Sequence, residues 1–205
     1  MSNVIILDNC ISELAQANIA HILTTTGFNW LYTDSSNGIP IVYQDKILNN
    51  NYIFDAPKFV SKIIENNNIF ENGNYLPALI PVLSAIPYTI EFISKLGINF
   101  KCPHPKNKSY NFGVPHVDFN NYGDLDNYIT AIYYVNDSDG DTIIYNETVK
   151  NIDDCHNLTI NQSITPKAGR IVIFNGNTFH SANTPINYDK RIVININLLI
   201  KEKIA

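Results

Sequence analysis

The sequence predicts a mainly β chain with helices at its N-terminal end, an α+β arrangement whose second half forms a β-sandwich or jelly roll. Two observations predict it. From Ile98 to Ile200, short apolar runs alternate with turns rich in Pro, Gly, Asn and Asp, the pattern of many short strands. Between Ile11 and Leu23, the apolar residues Ile11, Leu14, Ala15, Ile19 and Ile22 recur at helical spacing and share one helix face. The 205 residues can bury a substantial core and are expected to form one domain. Within it, residues 1–97 are read as a mixed, mostly helical support and residues 98–200 as the β core.

Gly27 closes the first helix, and Phe28 to Tyr32 is an aromatic-rich strand. A polar stretch runs to about Asn51. Pro57 to Asn66 and Pro77 to Leu96 are read as two further helices, the second broken or kinked at Pro81 and Pro87. Ile98 to Cys102 is extended. Ile129 to Val135 and Thr142 to Tyr145 flank Asn136-Asp137-Ser138-Asp139-Gly140-Asp141, a turn expected to join them as a hairpin. That loop also has half the look of a calcium site, but its flanks are strands rather than helices, so it reads as a plain turn. Gly169 to Phe174 and Arg191 to Leu198 complete the strands.

Charged residues make up 16% of the chain and hydrophobic ones 45%, the balance of a soluble globular protein. A formal net charge of -5 and a pI near 5.4 argue against nonspecific binding to nucleic acid or to anionic membranes. Cys10, Cys102 and Cys155 are odd in number and widely spaced, which fits reduced thiols. The first residues lack the basic and long apolar regions of a signal peptide, so the expected address is the cytoplasm. Five glycosylation sequons, such as Asn107-Lys108-Ser109, are read as accidents of an Asn-rich chain.

Chemistry concentrates in four residues. His116-Val117-Asp118 on a strand puts an imidazole and a carboxylate on the same side, because residues i and i+2 share a face. His180 follows the apolar run ending at Phe174 and adds a second imidazole. Two histidines and one carboxylate form the facial triad of a non-haem Fe(II) oxygenase, which leaves three metal positions open. Arg191 opens a strand whose one face is Ile192, Ile194, Ile196 and Leu198, and whose other is Arg191, Val193, Asn195 and Asn197. Its guanidinium fork is matched to a carboxylate such as the distal one of 2-oxoglutarate. Lys190, the competing cation, falls on the isoleucine face. His21, His104 and His156 sit on a helix flank or in polar loops and are read as exposed bystanders, and Cys102 as a structural thiol.

Together with Ala131-Ile132-Tyr133-Tyr134-Val135-Asn136, Asp139-Gly140-Asp141-Thr142 and Pro166-Lys167-Ala168-Gly169-Arg170, these residues resemble the 2-oxoglutarate and Fe(II)-dependent dioxygenases, in particular the prolyl-4-hydroxylase-like branch. The likeness covers roughly residues 98 to 200. It implies a double-stranded β-helix with His116, Asp118 and His180 holding Fe(II) at one mouth. It further implies Arg191 and Tyr134 on the distal carboxylate of 2-oxoglutarate, Thr142 lining the same pocket, and Asn195 hydrogen-bonding cosubstrate or substrate. The implied reaction consumes O2 and 2-oxoglutarate, hydroxylates a C–H bond and releases succinate and CO2, with ascorbate as a candidate reductant. The partner is then a small-molecule or peptide substrate. Lys101 to Lys106 lacks the tyrosine-containing pattern that peptidyl-prolyl hydroxylases often show before the triad, with only Tyr110 nearby, which weakens the case for a prolyl substrate. The competing reading is a non-catalytic metal-binding jelly roll of the cupin type, which has no evident need of Arg191.

Overall fold

A computed structural model describes residues 4–25, 27–33, 56–104, 113–118, 127–148 and 158–203. Eight strands form one large antiparallel sheet: β1 (Ile5–Leu7), β2 (Leu31–Thr33), β3 (Lys58–Glu65), β4 (Asn68–Ile69), β5 (Tyr88–Lys101), β6 (Tyr128–Tyr134), β9 (Ile171–Asn175) and β11 (Arg191–Lys203). Their order is β1-β9-β6-β11-β5-β3-β2, with β4 paired to β3 off that path. A second sheet of three strands has the order β10-β7-β8, from β7 (Thr142–Thr148), β8 (Ile160–Ile164) and β10 (Thr178–Ala182). Two helices, α1 (Glu13–Thr24) and α2 (Leu76–Ser84), complete the frame with a 3-10 turn at Glu71–Tyr75.

Strand alternation divides the interior into two cores. Ile192, Ile194, Ile196 and Leu198 of β11, Ala131 and Tyr133 of β6, and Ile171 and Ile173 of β9 pack with Ile19 and Leu23 of α1 and Leu79 and Val82 of α2. The residues between them turn the other way. Val193, Ile132, Tyr134, Val172 and Phe174 pack with Ile144 of β7 and Ile164 of β8, filling the space between the sheets. One face of the large sheet is thus closed by helices and the other by the small sheet, as the jelly-roll expectation requires.

The first helix forms where expected, with the Ser12 hydroxyl capping it by accepting from the Ala15 N–H at 3.3 Å. Leu14, expected on its buried face, is 81% exposed, and Ile19 and Leu23 carry the packing instead. The second expected helix is overturned: Lys58–Glu65 is strand β3. Pro57 and Asn66 do bound an element, but its Val60, Ile63 and Ile64 are β-branched, and Asn66 and Asn67, with φ of 51° and 59°, form the two-residue turn pairing Glu65 with Asn68. The third expected helix stops at Ser84; Tyr88–Lys101, nine residues of which had been read as helix, is the long strand β5. Pro77 sits in the first turn of α2, where a missing N–H costs nothing, and Pro81 is accommodated within it.

The segment 136–141 is also not a hairpin. β6 belongs to the large sheet and β7 to the small one, so the turn crosses between layers. Its carboxylates pin that crossing. Asp137 accepts from the Ala168 N–H (2.7 Å), Asp139 from the Ile186 and Asn187 N–H groups (2.9 and 2.7 Å), and Asp141 from the Ser163 hydroxyl (2.6 Å). Three acids engaged with three different segments agree with a structural turn. Arg170 has a similar role, forking onto Asp8 at 2.6 and 3.0 Å beside the β1–β9 pair.

Candidate metal centre

His116 lies just outside the sheets, joined to β10 by an isolated antiparallel bridge to His180. Its N–H reaches the His180 carbonyl at 2.8 Å and the His180 N–H returns to the His116 carbonyl at 2.9 Å. This reciprocal pair places the two rings 4.4 Å apart, centre to centre. Asp118, two residues on from His116, brings its Oδ2 to 3.5 Å from His180 Nε2. One ligand atom from each of the three residues lies within 4.8 Å of the other two.

The rings are oriented by what holds their other nitrogens. His116 Nδ1 is 3.0 Å from the Val114 carbonyl, and His180 Nδ1 is 3.1 Å from the Thr178 carbonyl. A carbonyl only accepts, so each Nδ1 carries a proton and Nε2 is the nitrogen each ring presents to a cation. Thr130 of β6 donates to Asp118 Oδ2 at 3.0 Å, fixing the carboxylate, and Phe174 packs edge-on against His180. Burial, then the neighbouring His180, lowers the His116 pKa to about 3, so the ring is neutral at ordinary pH. Burial alone would raise Asp118, but the two histidines together with Lys95 and Thr130 lower it to about 2, so it is an anion. Two imidazoles and one carboxylate suit a divalent transition metal, so the residues fit Fe(II).

A cavity of about 50 Å³ adjoins both histidines. Arg191, 2% exposed, lines it from the first position of β11. Its Nε donates to the Gly140 carbonyl at 2.7 Å and its Nη2 to the Thr142 hydroxyl at 2.9 Å. Tyr134 donates to the same Thr142 oxygen at 2.7 Å and sets its ring 5.7 Å from the guanidinium carbon. Thr142 Oγ1 therefore accepts twice, which leaves its own proton to donate elsewhere, and Thr142 lines the cavity. The Tyr134 hydroxyl thus meets Thr142, whereas the sequence reading sends it to the cosubstrate carboxylate. Val193 and Asn195 line the same wall, and Asn195 Oδ1 is buried without a hydrogen-bond partner among the described atoms. Gly140 must lack a side chain here, since a Cβ would come within 2.9 Å of Arg191 Cδ and 2.8 Å of the Asn183 carbonyl.

Of the four residues expected from sequence, His116, His180 and Arg191 line one cavity, and Asp118 stands beside the two histidines. Residues missed in the sequence are Thr130, which holds Asp118, and Lys58, Asn99 and Lys101, which line the cavity. Lys58 is 8% and Lys101 5% exposed; Lys101 donates to the Ala182 carbonyl at 2.7 Å, and the charge of Lys58 opposes protonation of His116. A two-residue alternation through Asn99-Phe100-Lys101 was the signal for two of them. His21 is exposed as expected, but His104 is half-buried, and Tyr110, Cys155 and His156 lie outside the described residues. Cys10 is half-buried and Cys102 exposed, both free thiols. Among the described residues no helix is long and apolar enough to cross a membrane.

No curated protein matches this chain in sequence. Solved structures share its fold at low identity. A prolyl-4-hydroxylase from Pseudomonas putida superposes with a TM-score of 0.52 at 13% identity, over 98% of this chain and 94% of the other. The epimerase SnoN, in complex with Fe3+, α-ketoglutarate and nogalamycin RO, gives 0.59 at 12% identity, over 97% and 79%. A Trichoplax adhaerens prolyl hydroxylase bound to a hypoxia inducible factor peptide fragment gives 0.52 at 16% identity, over 96% and 83%. Residues 106–199 match the family model of the 2OG-Fe(II) oxygenase superfamily. That stretch begins before His116 and ends after Arg191, so the part of the chain that resembles the 2OG-Fe(II) oxygenase superfamily is the part that carries the site.

Proposed function

We propose that this chain is an Fe(II)- and 2-oxoglutarate-dependent oxygenase that hydroxylates a small-molecule or peptide substrate. The observation that carries the reading is the buried Arg191 guanidinium on the wall of the cavity that His116 and His180 also line. His116, Asp118 and His180 would hold Fe(II), and Arg191 with Thr142 would hold the distal carboxylate of 2-oxoglutarate. When bound, iron and 2-oxoglutarate supply the oxidising power for O2 chemistry, with succinate and CO2 as co-products.

The chain's own contribution is geometry and exclusion of water. The Val114 and Thr178 carbonyls keep both Nε2 atoms facing the metal position, and Thr130 keeps Asp118 from rotating away. Gly140 and Thr142 hold the guanidinium on one side, so its orientation is set before a carboxylate arrives. Asn195 offers an acceptor for an N–H or O–H on cosubstrate or substrate. Phe174, Ile132 and Val193 keep the surroundings apolar, which strengthens every charge contact within.

Two variants separate the roles of Thr142 and Tyr134. Thr142→Val removes the hydroxyl donor and the acceptor that steadies Arg191, whereas Tyr134→Phe removes only the support behind it. Titration of 2-oxoglutarate into the Mn(II)-loaded proteins is expected to show Thr142→Val weaker by about 1.5 to 3 kcal/mol and Tyr134→Phe by about 0.5 to 1.5 kcal/mol. The reverse order would mean that the tyrosine touches the cosubstrate directly; wild-type affinity in both would remove this wall from the cosubstrate site.

A further inference from the structure

One polar atom on the cavity wall is left without a use by the fold. Asn195 lines the cavity from β11 and is 8% exposed, yet its Oδ1 is buried with no hydrogen-bond partner among the described atoms. A buried carboxamide acceptor without a hydrogen bond costs stability, and an apolar side chain of similar size would avoid that cost. Strand alternation turns Asn195 to the same face as Arg191 and Val193, both of which also line the cavity. The neighbouring strand adds to the case, because β5 sets Gly97 directly opposite Asn195. A Cβ on Gly97 would stand 3.4 Å from the Ser61 carbonyl and 3.7 Å from Lys95 Cε, which is ordinary contact, so packing does not demand glycine there. Glycine inside a strand weakens it and suits places where another molecule comes close to the backbone. Asn99, the next residue of β5 on that face, lines the cavity with a second carboxamide.

The chemistry of the missing partner follows from the atom itself. Oδ1 only accepts, so its partner has to bring an N–H or an O–H. 2-Oxoglutarate, the cosubstrate on the oxygenase reading that this inference rests on, is a dianion with two carboxylates and a ketone and has no donor to give. Asn195 Oδ1 is therefore not satisfied by it. An ammonium donor is disfavoured, because none of the described residues lining the cavity is acidic. We infer that Asn195 selects the primary substrate, which enters this cavity with an amide N–H or a hydroxyl group, by accepting that hydrogen on Oδ1. A carboxamide also donates through its own amide nitrogen, so a group that sets a donor beside an acceptor suits Asn195 and Asn99 together. The site then rejects analogues that lack the hydrogen, since binding one of them leaves the acceptor buried and unpaired.

N-methylacetamide, isopropanol and methyl acetate serve as probes. They are close in size, each has methyl protons that a nearby Mn(II) relaxes, and methyl acetate alone has no donor. The protein is first loaded with Mn(II) and saturating 2-oxoglutarate, and proton relaxation of each probe is then measured as it is titrated in. Wild type is expected to show saturable enhancement with N-methylacetamide or isopropanol, the tighter of the two naming the donor, and to bind methyl acetate about tenfold more weakly or worse. In Asn195→Leu the preference for a donor is expected to vanish while 2-oxoglutarate affinity stays near wild type. The same variant is expected to raise the melting temperature of the substrate-free protein by about 2 to 4 °C, because an unpaired buried acceptor is removed, whereas loss of a structural contact would lower it. Equal binding of all three probes in wild type, or no saturable enhancement with any of them, overturns the proposal. So does a donor preference that survives in Asn195→Leu, or a melting temperature that falls. Loss of 2-oxoglutarate affinity in Asn195→Leu equal to its loss of probe affinity would assign the carboxamide to the cosubstrate and overturn it too. Failure of 2-oxoglutarate to bind the Mn(II) protein at all would instead refute the oxygenase reading itself.

Discussion

Asp118→Ala is expected to abolish tight metal binding, and His116→Ala and His180→Ala to do the same. Each removes one of three atoms within 4.8 Å of one another, and no other described group of three His, Cys, Asp or Glu side chains lies close enough to replace them. The loss is expected to exceed about 100-fold, because removing even an outer partner of a ligand costs about 10- to 100-fold. Thr130→Val tests that lower range: the carboxylate stays but loses the hydroxyl at 3.0 Å, so a loss of about tenfold is expected. Asp118→Ala should also raise the charge burden, since it leaves a cation with two neutral ligands and no anion. Equilibrium titration with Fe(II) under nitrogen, or with Mn(II) in air, measures all four. Metal content near wild type in every triad variant would place the site elsewhere.

The second large effect is on 2-oxoglutarate. Arg191→Ala is expected to weaken its binding by about 1.5 to 3 kcal/mol while metal affinity stays near wild type, because a charge-assisted contact is lost and no ligand is. Arg191→Lys should recover only part of this. An ammonium keeps the charge but cannot donate both to Gly140 and Thr142 and to a carboxylate with the same planar fork. Lys190→Ala is the comparison. Lys190 precedes β11 on the opposite side of the alternation and does not line the cavity, so calorimetry should find it silent. Equal 2-oxoglutarate affinities in wild type and Arg191→Ala would mean that the cosubstrate, if any, is held by Lys58 or Lys101.

The site was legible in the sequence for a physical reason. Arg191 and Asn195 sit in β11, where alternation by two dictates the face, as Ile192, Ile194, Ile196 and Leu198 show from the other side; His116 is held by a single bridge to His180 and Asp118 lies at a bend, so their spacing is legible although no strand carries them. Lys58 and Lys101 were harder to find. Lys58 lies in a segment whose bounding proline and asparagine look like helix ends, but β-branched residues and a turn with two positive φ angles make it a strand. The sequence reads Lys101 as extended, but its place on the cavity wall depends on the β3–β5–β11 pairing, a nonlocal fact that no local pattern contains. The same holds for Thr130, which meets Asp118 across 12 positions of sequence. Turn chemistry between Asn136 and Asp141 was read correctly as a turn but not as a crossing, because the choice of sheet is made by Ile144 and Ile164 packing opposite Tyr134 rather than by the turn itself.

On the proposed function, the His116–Asp118–His180 cluster and Arg191 work as one oxygenase site. Succinate production tests it most directly. Protein loaded with Fe(II) is incubated in air with 2-oxoglutarate and ascorbate, without any other substrate, and succinate is quantified. Slow, oxygen-dependent succinate formation is expected from wild type and none from Asp118→Ala or His180→Ala. A wild-type protein that binds Fe(II) and forms no succinate would contradict the account and leave a metal-binding barrel without turnover.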